Sequence, residues 1–210
     1  MKLLALDLST KTGWAVFEDG KPTVWGTLFP DKTVKDFGEY PFNYPLCAEY
    51  LIQRLFDEVI FVHAQIGTTI VIEETNASRQ NYSQKLLEFL HYALCRKFAA
   101  MGKFEVRYIR TGEWRKKVNG NLSKEEKLLN GKISRIKKKT GKKLAKIDGK
   151  VVGKKTRKHS ALRVCLDEFQ IELKKKDEDA ADALCLGLGY LRGAPACDGT
   201  IKGGITKKAI

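Results

Sequence analysis

A chain of 210 residues can bury one sizeable core, which favours one domain carrying an insertion or tail over two full domains. No stretch approaches the roughly 18 consecutive apolar residues that a membrane span needs, so a soluble, cytoplasmic protein with no membrane partner is expected. The five cysteines Cys47, Cys95, Cys165, Cys185 and Cys197 are odd in number, widely spaced and without a CxxC pair, which suggests neither a disulfide framework nor a zinc site.

Leu3 to Leu6 and Thr12 to Phe17 predict two strands around a short polar turn. Glu18-Asp19-Gly20-Lys21 is a hairpin signal, and Thr23 to Phe29 predicts a third strand, so the chain opens as an antiparallel meander. Leu46, Tyr50, Leu51, Leu55, Val59 and Val62 recur at helical spacing from about Pro45 to Ile66, with Gly67 as a stop. A buried strand at Thr68 to Ile72 follows, ending at Glu73-Glu74. A helix over Asn81 to Met101, stopped by Gly102, leads to a strand over Phe104 to Ile109. Helix, strand, helix, strand predicts parallel strands joined by crossovers and added to the meander. Helical spacing returns through Ala161 to Phe169 and through Ala180 to Leu191, where Ala, Gly and Leu predict close packing on a sheet; residues 193–210 read as a loosely ordered tail.

The formal charge of +14 has one origin. Residues 116–158 hold 17 Lys or Arg and 3 Asp or Glu, leaving 22 of each sign elsewhere. Such a block attracts a polyanion, because neutralising phosphates releases condensed counterions. With Gly120, Gly131, Gly141, Gly149 and Gly153 among the lysines and no sustained apolar period, the segment reads as an inserted or mobile basic arm. Lys137, Lys138 and Lys139 fall on either a short helix or a hairpin, and they are candidate nucleic-acid contacts.

Acidic residues end three separate apolar elements. Asp7 follows four apolar residues in a strand expected to be central, where a charge is expensive to bury without a partner. Glu73 and Glu74 are adjacent at a strand end, so alternation sends them to opposite faces and only one can join a given site. Asp179 and Asp182 stand three apart on one face of an otherwise apolar helix, where like charges call for something cationic nearby. Hard oxygen donors of this kind suit magnesium or manganese rather than zinc.

These residues resemble the RuvC family of Holliday junction resolvases, within the ribonuclease H-like superfamily. Leu4 to Ala15 is similar to the family's first strand and hairpin, with Asp7 at its first catalytic carboxylate. Val71-Ile72-Glu73-Glu74 is similar to its second motif, in which the first glutamate, here Glu73, is catalytic. Asp179-Ala180-Ala181-Asp182-Ala183-Leu184 resembles the last motif, a helix with two metal-binding residues three apart. The resemblance spans residues 1–192 and implies one α/β domain: a three-stranded antiparallel meander followed by parallel strands, flanked by helices and interrupted at 116–158, as in phage-type variants.

By the same resemblance, Asp7, Glu73, Asp179 and Asp182 are catalytic and metal-binding residues. They would hold two Mg2+ ions, with Mn2+ able to substitute, for hydrolysis that leaves 5′-phosphate and 3′-hydroxyl ends. Lys158, or its neighbours Lys155 and Arg157, is implied as a contact to the scissile phosphate. Bacterial members have a base-stacking aromatic three residues after the catalytic glutamate; this chain has Asn76 there, which leaves Tyr82 as the candidate substitute. The implied partners are four-way junctions and other branched DNA, met by a homodimer whose symmetry matches the junction. No nucleotide cofactor is expected: Leu6 to Gly13 also looks like the phosphate hairpin of sugar kinases and actin-like ATPases, but their second lobe and adenosine motif do not fit in this length. A ribonuclease H-like nuclease for structured RNA and a non-catalytic nucleic-acid-binding protein remain open.

Overall fold

A computed structural model describes residues 1–74, 81–102, 104–140, 145–147 and 150–198. Strands β1 (Lys2–Asp7), β2 (Thr12–Glu18) and β3 (Lys21–Leu28) form the expected meander. Its second turn is a two-residue loop in which Asp19 (φ 49°) and Gly20 (φ 82°) both take positive φ, as the twist of a tight hairpin requires.

Helix α1 (Asn43–Leu55) passes through a π-helical turn (Phe56–Ile60) into the short α2 (Phe61–His63). Its buried residues, Cys47, Ala48, Leu51, Ile52, Leu55, Phe56, Val59 and Ile60, repeat every four residues. Against 3.6 residues per turn that repeat would drift off one face, and the wider turn takes up the drift. Strand β4 (Thr69–Glu74), helix α3 (Asn81–Met101), strand β5 (Glu105–Arg110) and helix α4 (Thr111–Lys117) follow. The chain continues through α5 (Lys124–Thr140), a hairpin of β6 (Ala145–Ile147) and β7 (Lys150–Val152), α6 (Arg157–Phe169), α7 (Glu178–Leu191) and a last strand, β8 (Ala196–Asp198).

The strand order of the main sheet is β3-β2-β1-β4-β5-β8, with β1, β4 and β5 parallel and β2, β3 and β8 antiparallel to their neighbours. This is the mixed sheet read from the sequence. Strand β8, in a stretch where the sequence shows only a tail, pairs with β5 through Tyr108 and Cys197 at the sheet edge. The remainder of that tail, 199–210, lies outside the described residues. All five cysteines are free, and Cys47, Cys165 and Cys185 are buried.

Alternation along the strands sorts side chains into two cores. Leu4, Leu6, Val16, Ile70 and Ile72 face α1 and α3, meeting Leu51, Ile52, Leu90 and Leu94. Leu3, Ala5, Phe17 and Val71 face the other way, onto α4, α6 and α7. Ten consecutive residues of α7, Ala180 to Gly189, are buried, because the helix is enclosed by the sheet on one side and by α4 and α6 on the other. Small residues permit this: a Cβ on Gly187 would meet the Phe17 ring at 2.3 Å, and one on Gly189 would meet Trp114 at 2.6 Å.

Where the sequence reading has a basic arm, the described residues of 116–158 include α5 and the paired strands β6 and β7. Ile133 is fully buried and anchors α5 to the domain, although lysines dominate the helix's composition. Among the described residues, no helix is long and apolar enough to cross a membrane.

Candidate active site

Alternation decides which acids share a face. Asp7 continues the row Leu3-Ala5 on the α7 side, and Glu73 continues Val71 on the same side. Glu74 belongs to the row of Ile70 and Ile72 and instead pairs with Arg110 Nε at 3.0 Å. The first glutamate is therefore the one brought to Asp7.

Helix α7 supplies the other two. Gly13, paired in register with Asp7, lies under the start of α7 so closely that a Cβ there would sit 1.9 Å from the Asp179 carbonyl oxygen. Main chain meets main chain at this point, and the missing side chain lets Asp179 and Asp182 stand beside the ends of β1 and β4. The structure thus gathers Asp7, Glu73, Asp179 and Asp182 from three elements.

Three of the four acids are held by donors from elsewhere. Glu73 accepts hydrogen bonds from Thr111 Oγ1 and from Trp114 Nε1 at 3.0 Å. Buried Asp182 accepts from Arg115 Nη2 at 2.9 Å; the same guanidinium reaches the Arg157 carbonyl at 3.5 Å and lies over the Trp114 ring at 4.2 Å. Asp179 pairs with Lys158 Nζ at 2.6 Å, and Glu178 stands 3.6 Å from the same ammonium. Among the described residues, the Asp7 carboxylate has no hydrogen-bond donor.

The electrostatics follow from this crowding. Burial raises the Asp7 carboxyl well above the usual carboxylate range, and Glu73, Asp182 and Asp179 push it further, with Lys158 opposing. Burial is the largest influence on Asp182, opposed by Arg115, reinforced by Glu73 and opposed by Lys158, and together they leave it raised to about 6. Burial draws the Lys158 ammonium down, but pairing with Asp179 outweighs this and leaves it raised.

Among the described residues, no three acidic, histidine or cysteine side chains are drawn together as a ready ligand shell, and Arg115 and Lys158 pair with two of the carboxylates. The donor chemistry still fits a hard divalent cation. All four groups are carboxylates, two positive side chains leave them in negative excess, and Asp7 has no other counter-charge of its own. Lys158, with its side chain 43% exposed, is the counter-ion open to solvent.

Of the other residues that the sequence singles out, Lys158 reaches the acids. The Lys155 and Arg157 side chains are exposed and do not pair with them. Lys137, Lys138 and Lys139 lie in the last turn of α5. Tyr82 falls in the first turn of α3, but its side chain and Asn76 lie outside the described residues. Sequence reasoning missed Thr111, Trp114 and Arg115; the signal available was Thr111-Gly-Glu-Trp-Arg115 directly after a strand, with a tryptophan and an arginine at the start of a short helix.

The sheet order and the helices on both faces define a ribonuclease H-like fold. Thermus thermophilus RuvC in complex with a Holliday junction substrate superposes with a TM-score of 0.55 at 12% identity, covering 91% of this chain and 93% of that one. A second Thermus thermophilus RuvC structure gives 0.50 at 12% identity, over 91% and 94% of the two chains. The yeast mitochondrial Holliday junction resolvase Ydc2 gives 0.50 at 13% identity, over 90% of this chain and 77% of that one. No protein-family model matches the sequence, and no curated relative matches it. At such identities the likeness establishes the fold.

Proposed function

We propose that the protein is a Holliday junction resolvase, a structure-selective endonuclease that nicks four-way and other branched DNA by two-metal phosphodiester hydrolysis. The observation that carries this reading is the convergence of carboxylates from β1, β4 and α7 around an unpaired Asp7 on one face of a ribonuclease H-like sheet. The RuvC structures add support, one of them holding a Holliday junction.

Asp7, Glu73, Asp179 and Asp182 would hold Mg2+, or Mn2+ in its place. When bound, the ions supply an activated water and neutralise charge on the leaving oxygen. The protein's own groups set the stage. Trp114 and Thr111 fix the Glu73 carboxylate in one orientation, and Arg115 does the same for Asp182. Lys158 stands at the rim with its ammonium available to a phosphate oxygen once Asp179 is otherwise neutralised. Residues 1–192 form the nuclease domain in this reading, with 116–158 as its lysine-rich insertion. A homodimer presenting two such sites matches the two-fold symmetry of a four-way junction.

The test is incubation with labelled four-way DNA junctions, matched linear duplex and RNA hairpins, with and without Mg2+, beside Asp7→Asn. Paired Mg2+-dependent nicks in the junction, lost in Asp7→Asn, are the expected result. Cleavage confined to RNA would move the activity to structured RNA. Binding without cleavage of any substrate would leave a non-catalytic nucleic-acid-binding protein.

A further inference from the structure

Helix α5 carries a face that the acid cluster does not use. Its inward side buries Ile133 and half-buries Leu129 and Ile136. On the outward side, Lys124, Lys127, Gly131, Arg135 and Lys138 recur at three- and four-residue spacing, so they form one stripe along a helix about 25 Å long. All five are exposed, and among the described residues none of the four cations makes an ion pair.

The helix's acids are turned away from the stripe. Glu125 accepts from Ser123 Oγ at 2.7 Å, and Glu126 accepts from Ser123 N at 2.8 Å and from Arg163 Nη1 at 3.0 Å. Gly131, mid-helix and mid-stripe, has open space around it, so no packing neighbour requires the missing side chain, and a helix gives up stability by having a glycine there. What it leaves is a low point between cations, where a bulky polyanion can approach the helix backbone.

A second feature ties this face to the acid cluster. Asn130 clamps the main chain of Lys155 in both directions: its Nδ2 donates to the Lys155 carbonyl at 2.7 Å, and its Oδ1 accepts from the Lys155 N–H at 2.8 Å. Thr156 then caps α6, and Lys158 follows with its contact to Asp179. The path from the stripe to the acids therefore runs through one side-chain clamp and three residues of chain.

We propose that the outward stripe of α5 is a rail for the phosphate backbone of one duplex arm of a branched nucleic acid, and that the Asn130–Lys155 clamp fixes the rail's distance from the acid cluster. The partner follows from charge complementarity: regularly spaced, unpaired cations on a rigid helix match a polyanion of regular pitch, and they hold it without reading bases. The clamp's role rests on the nuclease reading above; the rail's does not.

The experiment compares the full-length protein with K127Q/R135Q/K138Q, with N130A, and with K21Q/K35Q as a control for charge removed elsewhere. All are checked for wild-type circular dichroism. Anisotropy of a labelled four-way junction is measured across a salt series in EDTA, so that no strand is cut. For the triple variant, the slope of log affinity against log salt is expected to become shallower by about 2–3, with the control unchanged. A wild-type slope in the triple variant overturns the rail. So does a triple variant whose only loss is binding to phosphatidylserine vesicles, which would make the face a membrane contact.

For N130A, affinity and slope stay at wild type while the cleavage rate at saturating junction falls by about 10–100-fold. Wild-type cleavage by N130A overturns the clamp. If the wild-type protein cuts nothing, the nuclease reading fails, yet the salt slope still decides the rail.

Discussion

On one face of the sheet Leu4, Leu6, Ile70 and Ile72 meet α1 and α3 in an unbroken apolar layer, whereas on the other Leu3, Ala5 and Val71 run on into Asp7 and Glu73. The same strands make both faces, and only odd or even position separates packing from chemistry. The α1 and α3 face is apolar throughout. The α7 face packs Phe17, Trp114 and the small residues of α7 around a buried ion pair and a cluster of like charges. Both faces contribute apolar burial, and the unfavourable charge density that a cation site needs stands on the second.

The sharpest break in that contrast is Asp7→Asn. Cleavage of a four-way junction should fall by roughly 10³-fold or more. In EDTA the same variant should melt higher, gaining about 1–2 kcal/mol, because a carboxylate facing three others has been neutralised. Mg2+ should raise the melting temperature of the wild type and leave the variant unmoved; an equal metal shift in both would remove Asp7 from the cation site.

Leu90→Ala attacks the opposite face. Leu90 is 1% exposed in the α1 and α3 core, so its truncation should cost about 2–4 kcal/mol by urea denaturation. The cleavage rate of the folded fraction should stay at wild type. A large loss of rate would mean that the two faces are coupled.

A smaller effect belongs to His91, on α3, which burial lowers to about 4. The folded protein keeps this imidazole neutral, while the unfolded chain takes up its proton near pH 6.5. Between pH 6.5 and 4 the unfolded state binds more protons, so stability falls as pH falls through that window, by about 2–3 kcal/mol in all. The raised carboxyls of Asp7 and Asp182 act in the reverse sense, being relieved by acid. The His91 contribution is therefore read as the difference between wild type and His91→Phe across the pH series, and parallel curves would disprove it.

Smallest of all is Glu74→Gln. The Glu74–Arg110 pair is exposed, so stability should move by less than about 0.5 kcal/mol and cleavage should be unaffected. A strong loss of cleavage would mean that the neighbouring glutamate, not Glu73, serves the site.

The fold was legible where periodicity is strong. The meander, α3 and α7 follow from period-two and helical spacing, and the four acids stand out because Asp7 and Glu73 end apolar strands and Asp179 and Asp182 begin and interrupt an apolar helix. Alternation alone left Glu73 and Glu74 open and the resemblance pointed to Glu73; the register of β4 against its neighbours, which fixes the face that Val71 takes, is what puts Glu73 on the side of Asp7. Thr111, Trp114 and Arg115 were not legible because their partners lie far away in the chain: Glu73 and Asp182 are brought to them only by folding. Helix α5 was hidden for another reason. Its apolar side is three residues, Leu129, Ile133 and Ile136, diluted by lysine, and its anchoring depends on Asn130 and Glu126 finding partners on or beside α6.

The hydrogen bond from Trp114 to Glu73 has an optical consequence. A fully buried indole whose N–H points at a carboxylate emits in the field of that charge, so its fluorescence responds when the charge is compensated. Trp14 and Trp25, both only half-buried, would contribute a steadier background. The chain therefore carries an intrinsic reporter inside its acid cluster, able to follow cation or substrate arrival in real time without a label.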